Sequence, residues 1–446
     1  MKKKTVTSET EEITIDNKRQ KRKREKKAYR EIRWDRLDNT AHLFPVIAGE
    51  NMSNVYRISV TLTELVQPDI LQQALNIVLP KMDGFNLRLR MGVFWYYFEE
   101  NGKPAPKVRE ESNFPCRYIQ QNQNHSYMFR VSYYKYRINL EVFHVLTDGM
   151  GGINFLKELT YQYLRLANPE LKEKVGDSLN SGTSLNREDS FLKNYKKSSA
   201  KGYQTKKAYL LKGEHLGPGE FGVMHGYMQI PQCHRYGCSI NEYLVSVYIW
   251  SVYTECMKGM PSASPIRVAV PVNLRPYFNS ITTKNFFVMV SAEFHPTKEV
   301  YTFAEVLAIV RDNLRSQINR EHLEKLFSYN VSNEKMLAAR AVPLFLKNIA
   351  MKLVYTKSAL ANTTTITNIG NIGVDEEYRP YVEMFHAFLA MSKGQHLKGT
   401  ICSYGSTLVF SFSFDLKDVS VQRGFFRKIA ADGIEVELDT NGVTAD

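Results

Sequence analysis

His144 and Asp148 are the residues whose types and spacing first suggest chemistry. They sit in Phe-His-Val-Leu-Thr-Asp-Gly-Met-Gly-Gly, residues 143–152, where a strand-like run gives way to a helical one. A histidine takes and returns a proton near neutrality because its unperturbed pKa is about 6.5. At a strand end beside a glycine turn, His144 could project into a cleft with open backbone around it. Asp148 could hold the turn, bind an arginine or orient the imidazole. Gly149, Gly151 and Gly152 would allow a tight passage into a helix beginning near Ile153. The plainer alternative makes His144 a hydrogen-bonded core residue and Asp148 a helix N-cap, and on this stretch alone it is the stronger reading.

The elements around the stretch are mixed. Tyr56–Val66 alternates in strand fashion, and Pro68-Asp69 opens a helical pattern to Met82. Strand-like runs follow near 86–90, 93–99, 127–134 and 137–144, the last leading into the quoted turn and a helix over 153–166. In the second half, Ser239-Ile240-Asn241-Glu242 and Thr302-Phe303-Ala304-Glu305 read as capping boxes that open helices to about Met257 and Arg320. Strands are expected at 266–272, 285–294, 362–369, 381–391, 397–403 and 407–414. Helical material is expected at 334–357, interrupted at Pro343, and at 419–431, before a last short strand. Strands mixed with helices in both halves of a 446-residue chain argue for two α/β lobes.

Composition bounds the rest. Hydrophobic residues make up 43% and charged residues 24%, as a folded globular chain requires. No apolar run nears the ~18 residues of a membrane span, and no secretory h-region opens the sequence, so a cytoplasmic protein is expected. Of the net charge of +13, residues 1–30 supply +7, from 12 Lys or Arg against 5 Asp or Glu. This tail reads as disordered and solubilising, with a weak membrane-surface or nucleic-acid contact as its other use. Residues 193–212 hold seven Lys and no acid, and read as a basic crossover between an N-terminal lobe, 31–192, and a C-terminal lobe, 213–446. The five cysteines are scattered and read as reduced thiols. His225, Cys233, His234 and Cys238 match no zinc spacing, so no metal site is expected.

His144-x-x-x-Asp148-Gly149 resembles the HxxxDG motif of the CoA-dependent acyltransferase superfamily. That group includes chloramphenicol acetyltransferase-like enzymes, alcohol acetyltransferases, wax ester synthases and the condensation domains of nonribosomal peptide synthetases. Pro271-Val272-Asn273-Leu274-Arg275-Pro276 resembles the family segment in which an arginine precedes a proline, and Thr367-Asn368-Ile369-Gly370 resembles its Ser-Asn-x-Gly channel element. Their order extends the resemblance over roughly residues 35–440.

The resemblance implies two chloramphenicol acetyltransferase-like lobes on one chain, mixed sheets flanked by helices, and an active-site tunnel between the lobes. It implies acyl transfer from acyl-CoA to a hydroxylated acceptor without a permanently bound cofactor, His144 acting as general base. Asp148 and Gly149 would shape the turn, with Arg275 as the partner of Asp148, and Thr367 or Asn368 would line the donor channel or meet the oxyanion. An acyl carrier protein as donor, an amine as acceptor, and a noncatalytic binding or assembly role on the same fold are the alternatives. A monomer is expected. The likeness is greatest to the alcohol acetyltransferase-like branch. Phe143 stands where many condensation domains carry a first histidine, and the DFGWG element of plant acyltransferases is absent. Its nearest counterpart, Lys284-Asn285-Phe286-Phe287, reads as structural.

Overall fold

A computed structural model describes residues 33–176, 178–197, 206–234, 236–335 and 342–443. The basic tail over 1–30 and the middle of the expected crossover lie outside these residues. The first half carries strands β1 (Trp34–Arg36), β2 (Val55–Leu62), β3 (Leu87–Met91), β4 (Tyr96–Glu100), β5 (Arg109–Glu110), β6 (Phe129–Tyr134) and β7 (Arg137–Phe143). The second carries β8 (Gly222–Gln229), β9 (Ile266–Asn273), β10 (Phe287–Phe294), β11 (Thr364–Asn371), β12 (Val382–Leu389), β13 (Leu397–Tyr404), β14 (Thr407–Phe414) and β15 (Glu437–Thr440). The longer helices are α1 (Pro68–Val78), α2 (Gly149–Ala167), α3 (Ile240–Ser251), α4 (Phe303–Gln317), α5 (Arg320–Lys335), α6 (Leu344–Ala359) and α7 (Ser420–Ala431).

Local chemistry accounts for the helix starts. Both expected capping boxes are present: Ser239 with Glu242 opens α3, and Thr302 with Glu305 opens α4. Pro343 stands at the N-cap of α6, where its missing N–H breaks no helical bond. Among the longer elements, two were not anticipated. In β8, Gly222, His225 and Gly226 blunt the alternation that marks a strand; a Cβ on Gly226 would stand 2.2 Å from the Phe426 ring, so packing demands the glycine. In α5 the buried stripe is only one residue wide per turn, Leu323, Phe327 and Val331, in an otherwise polar sequence.

Three sheets form. β1, β4 and β3 make a small one. The first lobe is built on the order β12-β2-β7-β6-β5 and the second on β10-β9-β11-β13-β14-β8-β15. β11 runs parallel to both its neighbours while the other pairs of that sheet are antiparallel, so the sheet is mixed. Helices α1 and α2 cover the first sheet, and α3, α4 and α7 cover the second.

Chain order and lobe membership part company at β12. This strand follows β11 in sequence, yet it pairs antiparallel with β2, Phe385 opposite Val60 and Ala387 opposite Ile58. It completes the edge of the first sheet. The first lobe's core accordingly includes Ile372, Val374, Val382, Phe385 and Ala387 from far along the chain. The expected partition at 192 and 213 therefore does not follow the sheets over 382–389. The loop before β10 also crosses, where Lys284 reaches Asp35 at 2.7 Å.

Candidate active site

Between the two large sheets lies a cavity of about 1120 Å³. Its walls come from the end of β7, the start of α2, and strands β9, β10, β11 and β13. His144, half-buried, is the first residue past β7, and its backbone N–H donates to the Asn54 carbonyl at 2.9 Å. Its ring is enclosed by aromatic groups: Phe44 stacks on it with centroids 4.6 Å apart, and Tyr56 meets it edge-on at 5.1 Å. This dry surround disfavours the imidazolium and holds the His144 pKa below its ordinary value, against the pull of the Asp148 charge. A base so placed is neutral at pH 7.

Of the two ring nitrogens, Nδ1 is the one engaged by a side chain. Nδ1 lies 3.0 Å from the Asn285 side-chain oxygen. The amide end of Asn285 donates to Asp38 Oδ2 at 2.9 Å, and the Asn285 backbone N–H donates to the same oxygen at 3.2 Å. Asn285 can therefore only accept from His144. The proton sits on Nδ1, and Nε2 keeps its lone pair for the cavity. Asp38 is fully buried and takes a third bond from the Ala41 N–H at 2.9 Å. Burial still pushes its pKa up to about 7.

Asp148 serves the turn and not the imidazole. It caps α2 by accepting from the Gly151 N–H at 3.2 Å, and its other bonds come from the Phe286 N–H at 2.9 Å and from the Arg275 guanidinium. Arg275 in turn donates to the carbonyls of Thr282 and Lys284, both at 2.8 Å. The pair thus grips the backbone on either side of Asn285, through Lys284 and Phe286. The tight fit at the turn falls on Gly151, where a Cβ would lie 2.5 Å from the Thr283 carbonyl. A Cβ on Gly149 would meet nothing closer than Ile369 at 4.0 Å.

Thr367 and Asn368 lie on β11 in the cavity wall. The Asn368 side-chain oxygen accepts from the Gly370 N–H at 2.8 Å across a bulge, Gly370 holding φ of 84°. That leaves the Asn368 amide donors for a ligand. Four residues of the site were not singled out in the sequence: Asp38, Tyr56, Asn285 and Lys398. Asn285 lies in the segment that reads as structural, and it joins His144 to Asp38. Lys398 is a buried lysine in the cavity wall.

No protein-family model and no curated protein sequence matches the chain. Solved structures do. A Fusarium sporotrichioides protein complexed with coenzyme A and T-2 superposes with a TM-score of 0.61 at 9% identity, covering 91% of this chain and 99% of that one. The trichothecene 15-O-acetyltransferase of Fusarium sporotrichioides gives 0.58 at 8% identity, over 89% and 94%. Polyketide synthase associated protein 5 from Mycobacterium tuberculosis gives 0.56 at 11% identity, over 89% and 96%. The epimerization domain of tyrocidine synthetase B gives 0.55 at 8% identity, over 90% and 96%. Mixed α/β architecture, with sheets flanked by helices, is shared with these proteins along nearly their whole lengths. No helix among the described residues is long and apolar enough to cross a membrane.

Proposed function

We propose that this chain is an acyltransferase that moves an acyl group from a CoA thioester to a hydroxyl acceptor, with Nε2 of His144 as the general base. The observation that carries the reading is the orientation of the imidazole. Nδ1 is engaged by Asn285, itself tied to Asp38, which leaves Nε2 as the basic nitrogen of a side chain that lines the cavity between the lobes. That is the arrangement proton transfer at a cleft requires. The fold shared with an acetyltransferase and with a protein crystallised with coenzyme A supports it.

In the proposed step Nε2 takes the acceptor's O–H proton as the oxygen attacks the thioester carbonyl. The tetrahedral oxyanion collapses, the C–S bond breaks, and the departing thiolate takes the proton from Nε2. The products are the ester and free CoA, and the base is regenerated. Such positioned proton transfer contributes about 10²–10⁴ in rate. The Asn368 amide and the Thr367 hydroxyl are the groups on the wall suited to donate to the oxyanion. Asp148, Gly149 and Arg275 act structurally, holding the turn and the Asn285 loop.

An acyl carrier thioester presents the same carbonyl, and an amine the same kind of nucleophile. The test is mass spectrometry of products from acyl-CoA and acyl-carrier donors, each offered to a panel of alcohols and amines. Enzyme-dependent ester in the CoA arm supports the reading. Product from carrier donors alone replaces CoA in it, and no product in either arm overturns it.

A further inference from the structure

One charged group of the cavity has no part in the chemistry described so far. Lys398, on β13, is only 6% exposed and lies in the wall of the same cavity as His144. Its one hydrogen bond among the described residues is to the Ser392 hydroxyl at 2.5 Å. Among the described residues no carboxylate pairs with it. Glu141, a buried carboxylate of β7, is engaged with Arg57 and Arg130. The Cys116 thiol, whose charge could compensate Lys398, is kept protonated by burial.

A buried ammonium without a counter-charge is strongly disfavoured, because removing it from water is offset only by an anion close at hand. Burial lowers the Lys398 pKa to about 8, which leaves the group mostly charged at pH 7. Gln395, 6% exposed, stands in the same wall; its side-chain oxygen accepts from the Thr365 hydroxyl at 2.8 Å, so its amide donors remain. A recessed cation, with amide donors in the same cavity wall, matches a single planar anion.

We propose that Lys398 is the binding residue for a substrate carboxylate, held in the cavity that His144 also lines. A carboxylate there would belong to a hydroxy acid acceptor or to the far end of a dicarboxylic acyl group. The phosphates of CoA fit less well, since several charged oxygens would crowd one recessed lysine.

This inference rests on the acyltransfer reading, and two measurements on the full chain separate them. The first needs no turnover. Trace labelling of Lys398 by acetic anhydride across pH, read by peptide mass spectrometry, is compared with and without lactate, 3-hydroxybutyrate, 4-hydroxybenzoate, their methyl esters, malonyl-CoA, acetyl-CoA and free CoA. A bound carboxylate should raise the titration midpoint by about one unit, a tenfold drop in the reactive amine. Methyl esters should leave it unmoved. Protection by a hydroxy acid places the anion on the acceptor, and protection by malonyl-CoA but not acetyl-CoA places it on the acyl group.

The second measurement compares kcat/KM for acids and their methyl esters. A preference of about 10² is expected from a buried group left unpaired by the ester, and Lys398→Met should abolish it. Equal protection by acetyl-CoA and free CoA would put a phosphate at Lys398 and overturn the proposal, as would no protection by any of these compounds. Protection without any acyl product would retain the carboxylate site and discard the acyltransfer reading. Transfer with acids and esters reacting alike would do the reverse.

Discussion

Arg275 and Asp148 meet fork to fork, Nη1 to Oδ2 at 2.8 Å and Nη2 to Oδ1 at 3.0 Å. The side chains are 11% and 8% exposed, so water screens the contact little. One residue comes from the turn after β7 and the other from the segment after β9, which makes the pair a clasp between the lobes. Through the Lys284 carbonyl and the Phe286 N–H the clasp also sets where Asn285 can stand.

Removing one member of such a pair leaves the other charge buried and uncompensated, at a cost of about 3–5 kcal/mol. Asp148→Asn and Arg275→Met should each lower the melting temperature and the activity together. The double variant should lose less stability than the two single losses combined. Denaturant melts on the four proteins check this. Strict additivity would show that the pair contributes no coupling.

His144→Ala should behave differently. The residue holds no buried ion pair, and its loss costs ring contacts with Phe44 and Tyr56 and one hydrogen bond. The melting temperature should therefore fall less than in Asp148→Asn, while transfer falls by at least about a hundredfold. Near-normal turnover in the purified variant would remove His144 from the chemistry.

The acid limb of activity carries a sign. Burial lowers the His144 pKa, so the neutral base persists below its ordinary value of 6.5. The kcat/KM profile should therefore be flat through neutrality and fall only at pH below about 6.5, as the imidazole protonates. A limb above that value would mean another group is titrating.

Asn285→Ala separates positioning from bulk structure. The hydrogen bond from Nδ1 favours the charged ring, so its loss should move the acid limb to still lower pH. It also frees the tautomer, and kcat should fall by about tenfold or more with KM little changed. A purely structural Asn285 would alter the melting temperature and leave the profile in place.

His386 makes a prediction about stability. It is buried at the seam between β12 and β8, its Nε2 2.9 Å from the Tyr227 hydroxyl, and burial lowers its pKa from 6.5 to about 4. A depressed histidine pKa means the unfolded chain binds the proton first. The contribution is complete above pH 6.5 and is lost as pH falls toward about 4, about 3 kcal/mol for this 2.5-unit difference. Asp38, raised to about 7, works in the opposite sense over much of this window, so the comparison must be between wild type and variant. His386→Gln should flatten the loss of stability between pH 6.5 and 4, as urea melts would record. An unchanged slope would mean that His386 stays accessible to protons in the folded state.

What could be read before folding was the contiguous part of the site. His144, Asp148 and the glycines lie within one turn, and Arg275 lies beside a proline that marks its segment. Asp38 looks like any carboxylate near a chain end, and only its burial beneath Asn285 gives it a task. Lys398 alternates normally along β13, and nothing in its neighbours announces that no anion waits for it. The strands themselves were mostly legible from apolar alternation. Their partners were not, because period-two patterning says which face is buried and is silent about which strand lies alongside.

The crossing of β12 has a consequence for how this protein is made. A ribosome delivers β2 and β7 early, but the strand that closes the open edge of β2 follows more than three hundred residues after it. At about 5–20 residues per second the wait is on the order of tens of seconds. Throughout it, the nascent first lobe exposes a row of unpaired backbone groups beside an apolar face, a template for the wrong strand. Anything that holds that edge until Leu389 emerges, a chaperone or a slow stretch of translation, would govern yield without touching the stability of the finished molecule. Truncation before residue 382 should therefore harm the lobe that the truncation leaves nominally intact.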